Sequence, residues 1–375
     1  MSAVAYRFLE PLDVLFLRGN KLFGDPGSYG ESLVPPWPSV AAGALRSRLL
    51  ADDGVDLAAF AAGREAHPML GTPDNPGAFR ITRFQMARRS ADGRVEALIA
   101  PPADLVIGEQ DGKVMAVRAL SPTAPAAGVL SSSHLPQLPV LAEAERGKAA
   151  SGYWLGEGGW RRYLAGDTPS PGDLIKSSEL WCTDPRVGVG LDAATGRAAN
   201  GRLFSVQAVA MQPGVGFLAG IAGAVPPTHG MVRLGGDGRA AAIHAAEPNE
   251  TEPDYAAIAR AGRCRLILTS PGIFPGGWRL PGTDAEDRFH LAEVSGRLVC
   301  AAVPRAEVVS GWDLARWQPK AAQRAVPAGS VYWLDKLDAT PENLRKLTAT
   351  GLWDPIGHDA QRRAEGFNRF CFAAY

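Results

Sequence analysis

The chain has 375 residues, with 39 basic and 39 acidic side chains and therefore no formal net charge. This balance excludes a globally basic nucleic-acid-binding protein, and an apolar fraction of 46% at low net charge excludes a disordered chain. Of the basic residues 32 are Arg and 7 are Lys; Arg offers planar donors suited to phosphate, although GC-rich coding explains the excess as well.

The length predicts about two domains, and the cysteines indicate a reducing compartment. They lie at least 36 residues apart without a CxxC pair, so neither a disulfide framework nor a zinc site is expected. We expect buried free thiols at Cys182, Cys264, Cys300 and Cys371. Because the N-terminus has no signal-peptide pattern and no apolar run reaches about 18 residues, we expect a soluble cytoplasmic protein.

The chain opens with the pattern of a strand, a glycine-rich loop and a helix. Residues 6–17 read as the opening strand, and four glycines punctuate the loop that follows. The segment PPWPSVAAGALRSRLL then predicts a helix with Ser39 as its N-cap. Ala41, Leu45 and Leu49 share one face of that helix, which indicates burial against a sheet.

Strands dominate the middle of the chain, with hairpin turns expected at Asp92-Gly93 and Asp111-Gly112. In chain order, the patterns predict a β-meander over 80–119, a Pro-rich surface loop over 120–139, a helix around 159–164, a β-ribbon with a polar tip over 186–211 and a strand over 215–221.

The acidic, proline-containing stretch 245–254 is the best candidate for a domain boundary. We therefore predict two domains, residues 1–246 and 247–375. Strand patterns continue beyond the boundary with little helix, apart from a short helix that Thr340 caps and Pro341 begins. This interleaving is typical of split βαβ ferredoxin-like units.

Catalytic and cofactor motifs are missing from the sequence. The one dinucleotide-like string, Gly214-Val-Gly216-Phe-Leu-Ala219, precedes a segment that suits a strand better than a helix, so we expect a β-turn there and no cofactor. No two of the six histidines lie within four residues, and no metal-ligand spacing occurs. We therefore predict no catalytic residues, no metal and no cofactor.

The candidate site consists of glycine-rich loops that carry Arg and aromatic side chains. Arg contacts phosphates, aromatic rings stack on bases, and glycines let a strand approach the backbone. Alone the pattern is weak, because Arg on strands often lies on a solvated face and Trp near Gly is often core. These loops contain Arg18, Asn20 and Lys21; Arg80, Arg83, Arg88 and Arg89; Arg186, Arg197 and Arg202; and Gly276, Gly277, Trp278 and Arg279.

Read together, these segments resemble the Cmr3-type subunit of the type III-B CRISPR effector complex, a RAMP protein. The strings that carry the resemblance fall in family order and span residues 8–335. They are FLEPLDVLFLRGNKLFG, PPWPSVAAGALRSRLL, DPRVGVGLDAATGRAANGRLFSVQAV, GVGFLAGI, RLGGDGR, LTSPGIFPGGW and GWDLARWQPKAAQRAVPAGSVYWLD.

The resemblance implies an α+β fold of two ferredoxin-like, RRM-related RAMP domains with glycine-rich loops and inserted β-hairpins. It also implies a non-catalytic subunit that holds the repeat-derived 5′ tag of the CRISPR RNA (crRNA). Its further partners would be the large polymerase-like subunit and the first backbone subunit. The implied RNA-binding residues are Arg18, Asn20, Lys21, Ser39, Arg46, Arg186, Arg197, Arg202, Gly235, Gly236, Gly276, Gly277, Trp278 and Lys320.

Two parts of the resemblance stay open. Trp312 fits either the RNA groove or the core. RAMP proteins typically have a compact glycine-rich loop before the last strand, whereas Gly351, Gly357 and Gly366 are widely spaced here. Arg362 and Arg363 in that segment are expected to be solvated helix charges.

Two alternative functions remain. A related RAMP protein could cleave precursor CRISPR RNA without metal, which requires an acid–base set near the scissile 2′-hydroxyl. No clustered His pair marks such a set, although distant residues can converge. A nucleotide-dependent enzyme built on the glycine strings is the third possibility.

Overall fold

The structure is a computed structural model that describes residues 3–19, 29–143, 148–354 and 358–375. Antiparallel sheets dominate it, and its helices are few and short. The predicted mixture of many strands with little helix is confirmed. In the described part of the chain, no helix has the length and apolar character that crossing a membrane requires.

The strands are β1 (Ala5–Pro11), β2 (Tyr29–Gly30), β3 (Arg80–Arg89), β4 (Val95–Leu98), β5 (Leu105–Gln110), β6 (Lys113–Ala119), β7 (Ser121–Thr123), β8 (Leu138–Val140), β9 (Tyr153–Leu155), β10 (Leu174–Lys176), β11 (Trp181–Leu191), β12 (Ala198–Met211), β13 (Val215–Ala222), β14 (Met231–Arg233), β15 (Ala240–Ala245), β16 (Arg263–Leu268), β17 (Arg288–Leu291), β18 (Val294–Ala302), β19 (Glu307–Val309), β20 (Trp312–Asp313), β21 (Gln318–Pro319), β22 (Gln323–Ala325), β23 (Val331–Asp338) and β24 (Phe370–Ala373).

The α-helices are α1 (Pro38–Asp52), α2 (Leu57–Ala61), α3 (Glu157–Ala165), α4 (Tyr255–Ala261), α5 (Pro341–Thr350) and α6 (Ala360–Glu365). Short 3₁₀ turns occupy Pro171–Asp173 and Ser177–Glu179.

Two compact units, neither continuous in sequence, make up the chain. The first contains Met1–Val95, Ser178–Pro248 and Val308–Gln323, and the second contains Glu96–Ser177, Asn249–Glu307 and Arg324–Tyr375. One passage between the units, at Pro248 and Asn249, falls inside the acidic stretch 245–254. The division into residues 1–246 and 247–375 stays a prediction.

The first unit is built on an antiparallel sheet in which β1 lies between β15 and β13, and β13 pairs with β3. The chain passes from β1 to β3 through α1, which packs against β3. Ala41, Leu45 and Leu49 of α1 are buried, as their spacing predicts. Every residue of β13 except the last is buried, so the dinucleotide-like string forms a turn and a core strand, as predicted.

Helix α1 begins two residues earlier than predicted. Its N-cap is Trp37, which provides no side-chain hydrogen bond, and Pro38 occupies the first helical position. Ser39 therefore lies inside the first turn and is not the cap. The fixed φ of proline suits the first helical position, and at this site that preference prevails over the capping preference of serine.

The second unit contains the sheet β17-β18-β23-β16-β24, again antiparallel throughout. One face packs Leu266, Tyr332 and Phe372 against α4 and α5. The other face packs Ile267, Trp333 and their neighbours against Trp160, Tyr163 and Leu164 of α3. Both faces of this sheet are therefore buried within the unit.

Two local expectations are wrong. Cys182 is exposed on the edge strand β11 and Cys371 is half-buried, whereas Cys264 and Cys300 are buried as predicted. Arg362 is buried and pairs with Glu365 at 3.1 Å, so it is no solvated helix charge. Both errors arise because the strand or helix pattern does not reveal which face the remainder of the chain covers.

Candidate nucleic-acid interface

The predicted glycine turn of the first unit lies directly on the opening segment of the chain. The Gly236 N–H donates to the Phe16 carbonyl oxygen at 2.8 Å. Gly235 has φ of +81°, and a Cβ there would lie 2.7 Å from the same carbonyl oxygen. Only glycine fits this approach without a shift of the backbone, because both the conformation and the space exclude a side chain.

Arginine side chains surround the Phe16 ring. The Cζ of Arg186 lies 6.0 Å from the ring centroid and that of Arg239 lies 5.2 Å from it. Arg18 contacts Asp237 at 3.7 Å, next to the glycine pair. We call Phe16, Arg18, Arg186, Arg239 and the pair Gly235–Gly236 the Phe16 cluster. Arg239 was not among the predicted site residues, although it follows the GGDG turn directly.

Each arginine of the Phe16 cluster has a carboxylate partner. Arg186 pairs with Asp184 at 2.9 Å, and Arg239 pairs with Asp13 at 2.6 Å. With the pair of Arg18 and Asp237, three guanidinium groups face three carboxylates. These pairs are partly exposed, so each contributes little to stability and its guanidinium can exchange partners.

The ribbon formed by β11 and β12 presents two different faces. Register pairs Arg186 with Val206, which packs in one cluster with Val14 and Phe16. Arg202 lies on this same face, because a Cβ at Gly190 would contact its side chain. The opposite face exposes apolar side chains along its outer half, namely Val187, Val189, Leu191 and Leu203.

The ribbon ends in a tip that Asp192 organises. Its carboxylate accepts hydrogen bonds from the N–H groups of Ala194 and Thr195 and from the Thr195 hydroxyl. The hydroxyl bond contributes most to lowering the pKa of Asp192, and the backbone bonds act in the same direction. Arg197 follows this turn and is exposed.

Other predicted residues of the first unit have different surroundings. Ser39 is half-buried in the first turn of α1. Arg46, further along the helix, holds its guanidinium 5.1 Å from the centroid of the Phe79 ring. The N–H of Lys320 donates to the Gly311 carbonyl oxygen at 2.9 Å. Asn20 and Lys21 lie outside the described residues.

The predicted loop of the second unit is well anchored. Trp278 packs against the core, and its carbonyl oxygen accepts a hydrogen bond of 2.6 Å from the Tyr332 hydroxyl. Gly276 and Gly277 are exposed, and Gly277 has a positive φ. Arg279 pairs with the nearly buried carboxylate of Asp287 at 2.8 Å. These contacts favour a packing role for Trp278 and leave the two glycines accessible.

The geometry of the Phe16 cluster suits recognition of an anion. Guanidinium groups donate in a planar fork to phosphate oxygens, and an aromatic ring beneath them restricts their orientation. Among the described residues, no group of three or more His, Cys, Asp or Glu side chains is arranged to hold a metal ion. The Phe16 cluster can therefore bind an anion through hydrogen bonds and charge.

A model of the family described as "CRISPR-associated protein (Cas_Cmr3)" matches residues 7–372. No curated protein matches the chain. Among solved structures, a chain of "Cryo-EM structure of the Type III-B Cmr-beta bound to cognate target RNA" is 12% identical, with 97% of this chain and 96% of that chain covered and a TM-score of 0.49. A chain of the same complex "bound to cognate target RNA and AMPPnP, state 1" is 14% identical, with coverage of 97% and 95% and a TM-score of 0.48. The assignment rests on the family match, which extends over nearly the whole chain.

Proposed function

The chain belongs to the Cas_Cmr3 family of CRISPR-associated proteins, and we propose that it is a non-catalytic RNA-binding subunit of the type III-B (Cmr) effector complex. In this role it holds the repeat-derived 5′ tag of the crRNA in the cytoplasm. It also contacts the large polymerase-like subunit and the first backbone subunit. The observation that carries the proposal is the Phe16 cluster, in which two arginines lie over one aromatic ring and a third pairs with Asp237 beside the glycine turn.

The strand order of both units supports a ferredoxin-like, RRM-related fold. In the first sheet β13 lies between β1 and β3, and β15 pairs with the outer side of β1. In the second sheet β23 lies between β16 and β18, and β24 pairs with the outer side of β16. The first unit keeps the helix between its first two strands, α1. The second unit keeps the helix between its last two, α5.

The burial of the second sheet directs the proposed RNA site to the first unit. RRM-type proteins bind RNA by stacking bases on an open sheet face. In the second unit Trp160 and Tyr163 of α3 already occupy one face, and α4 and α5 occupy the other. This burial supports RNA binding on the loops and the ribbon of the first unit, where the Phe16 cluster lies.

Capture of the tag proceeds by exchange of partners. An RNA phosphate that enters the Phe16 cluster replaces a surface carboxylate as the partner of Arg18, Arg186 or Arg239. Because three aspartates compete for these guanidinium groups, the free chain binds RNA weakly at cellular salt. The assembled complex holds the RNA firmly, since neighbouring subunits contribute the remaining phosphate contacts.

The experiment compares tag RNA bound by the purified chain with crRNA retained by the purified complex. We expect weak, salt-sensitive binding by the chain alone and one RNA species with a uniform 5′ end in the complex. Tight, salt-insensitive binding by the free chain would contradict the proposal. Specific cleavage of repeat RNA by the purified chain would instead favour the alternative, a RAMP-type endoribonuclease that processes precursor CRISPR RNA.

A further inference from the structure

The imidazole of His134 connects two loops of the second unit. Its Nε2 lies 3.0 Å from Oδ1 of Asp287, and Nη2 of Arg279 donates to the same oxygen at 2.8 Å. The centroid of the imidazole ring lies 5.9 Å from that of the Trp278 ring. The Pro-rich loop that carries His134 is therefore held against the loop that begins at the exposed pair Gly276–Gly277.

The partners of His134 determine which ring nitrogen carries the proton. The Asp287 side chain is 9% exposed and pairs with a guanidinium group, so its carboxylate is ionised and only accepts hydrogen bonds. Nε2 of His134 therefore carries the proton, which leaves Nδ1 of the neutral ring as an acceptor. Within the described residues this Nδ1 has no hydrogen-bond partner. Because the side chain is 46% exposed, it offers this acceptor to a ligand.

The turn at Asp287 fixes the orientation of the imidazole. Asp287 has φ of +62°, and its carbonyl oxygen accepts a hydrogen bond of 2.8 Å from the Leu298 N–H on β18. Residues other than glycine keep a left-handed conformation where their surroundings enforce it, often at functional sites. An acceptor that is held in place in this way loses little entropy when a ligand binds.

The charges around His134 favour a neutral ligand group over an anion. Residues 120–139, which include His134, contain no charged side chain. In segment 276–288 two arginines stand against three carboxylates, a net charge of −1; these side chains are Arg279, Asp284, Glu286, Asp287 and Arg288. They pair with one another. A phosphate gains no net attraction from these charges, whereas a hydroxyl group needs only an acceptor.

The backbone of the adjoining loop is open to a nucleic-acid strand. Gly276 and Gly277 are exposed, and a Cβ at Gly277 would meet no atom within 4 Å. A strand can therefore approach this backbone closely. It presents a sugar at every nucleotide, so a 2′-hydroxyl group is available to Nδ1 of His134 whatever the base. This hydroxyl group is what lets a protein distinguish RNA from DNA.

We infer that Nδ1 of His134 accepts a hydrogen bond from a 2′-hydroxyl group of the bound RNA. The contact selects ribose over deoxyribose at one nucleotide. Asp287 acts as a positioning residue that orients the imidazole, and Arg279 keeps its carboxylate ionised. This inference rests on the proposed function, because the strand concerned is the tag of the crRNA. It gives loops of the second unit a part in recognising that strand.

The test measures binding of the full chain to synthetic tag RNA at low salt, by fluorescence anisotropy. The probes are the all-ribose tag and a series in which one nucleotide at a time carries 2′-deoxyribose. For the wild type we expect one position at which deoxyribose weakens binding about fivefold, the effect of one lost hydrogen bond. His134→Ala should weaken binding of the all-ribose tag by a similar factor and should not respond to deoxyribose at that position.

Two variants separate this hydrogen bond from other roles of the side chain. His134→Phe keeps a ring beside Trp278 but has no acceptor, so it should behave like His134→Ala. His290→Ala is the matched control, since it removes another exposed histidine of the second unit whose side chain makes no hydrogen bond within the described chain. This control should leave the affinity and the response to deoxyribose unchanged. Circular dichroism and urea unfolding check that each variant folds.

Two outcomes overturn the inference and leave the proposed function in place. In the first, the wild type binds the tag but no deoxyribose position weakens binding, or His134→Ala keeps the wild-type response. Equal weakening of all probes by His134→Ala, with that response retained, would assign the side chain to a base contact or to the fold. In the second, His134→Phe behaves like the wild type, which would show that the ring stacks and accepts no hydrogen bond.

Two other outcomes extend to the proposed function. Cleavage of the tag by the wild type that His134→Ala abolishes would make Nδ1 a general base, and would overturn both the inference and the non-catalytic assignment. If the wild type binds the tag no better than an unrelated RNA of the same length, the proposed function fails and the inference fails with it.

Discussion

Arg265 on β16 and Asp104 form an ion pair across 161 residues of sequence, with Nη1 and Oδ2 2.9 Å apart. Their side chains are 5% and 0% exposed. The Tyr163 hydroxyl donates to the other carboxylate oxygen at 2.8 Å, and the remaining guanidinium N–H groups donate to the carbonyl oxygens of Tyr163 and Ala374. Through these bonds, Arg265 of β16 connects the segment 96–177 and the end of the chain after β24 to the sheet of the second unit.

Removal of either partner of this pair should destabilise the protein strongly. Asp104→Leu or Arg265→Met leaves a buried, unpaired charge, which costs about 3–5 kcal/mol of unfolding free energy. The double variant Asp104→Leu with Arg265→Met should lose less than the sum of the single variants. Urea unfolding of all three measures this, and strict additivity would contradict a direct interaction.

Titration of the Asp104 carboxyl group should contribute to the pH dependence of the unfolding free energy. Burial raises the pKa of Asp104 above its ordinary value of 3.8, although Arg265 and Tyr163 oppose the shift. The folded state then binds this proton more tightly than the unfolded state, so the contribution of Asp104 to stability falls as pH rises above 3.8. Asp104→Asn should remove this negative slope, and stability should then rise more steeply with pH in that window. An unchanged slope would show that the carboxyl group does not titrate there.

Loss of the arginines on the Phe16 side of the ribbon should reduce RNA retention without unfolding the protein. Arg186→Ala with Arg202→Ala removes two donors and leaves the strand pairing intact. For each phosphate that the variant no longer neutralises, the slope of log affinity against log salt should become shallower by about 0.7. Arg161→Ala, at an exposed ion pair on α3, is the matched control. Complexes that carry both ribbon changes and keep normal RNA occupancy would refute the site.

A comparison of two glycines tests whether the site requires the close contact between the backbone of Gly235 and the Phe16 carbonyl group. Gly235 and Gly238 both have positive φ, but a Cβ at Gly238 meets no atom within 4 Å. Gly238→Ala should cost about 1 kcal/mol for the left-handed conformation alone. Gly235→Ala should cost about 1–3 kcal/mol more, since its Cβ must displace the Phe16 carbonyl group, and it should also weaken RNA binding. Equal effects on unfolding free energy and RNA affinity would argue against the turn as part of the site.

The ribbon tip should loosen in acid. Hydrogen bonds from Thr195 and Ala194 lower the pKa of Asp192, so they stabilise the tip above the unfolded pKa. This stabilisation disappears as pH falls through the lower folded pKa. The NMR shift of the Thr195 amide proton should follow that titration and should be flat in Asp192→Ala. A shift that titrates equally in the variant would exclude Asp192 as the cause.

Much of the strand pattern could be predicted because local signals determine it. Asp111 and Gly112 both have positive φ at the predicted hairpin turn, and Thr340 caps α5 as predicted. The burial of Arg362 could not be predicted, because its partner Glu365 and the surrounding packing decide it. Long-range packing also determines that segments 178–248 and 308–323 join residues 1–95 in the first unit.

The candidate site could be predicted in part. Arg18, Arg186, Gly235 and Gly236 come from separate segments of the predicted site, and the structure brings them to Phe16. Arg239 was missed although it follows the GGDG turn directly, because only the fold shows that it lies over Phe16. Whether these residues hold RNA stays a prediction.

The interleaving of the two units affects how the chain folds during its synthesis. The first unit lacks Val308–Gln323 until late in translation, and β16 lacks its edge partner β24 until the last residues emerge. At about 5–20 residues per second, the interval between the emergence of Asp104 and that of β24 lasts roughly 15–50 s. Through that interval the apolar side chains of segment 96–177 have no complete sheet to cover. Nascent chains of this protein should therefore expose these apolar side chains for longer than a protein with two consecutive domains would.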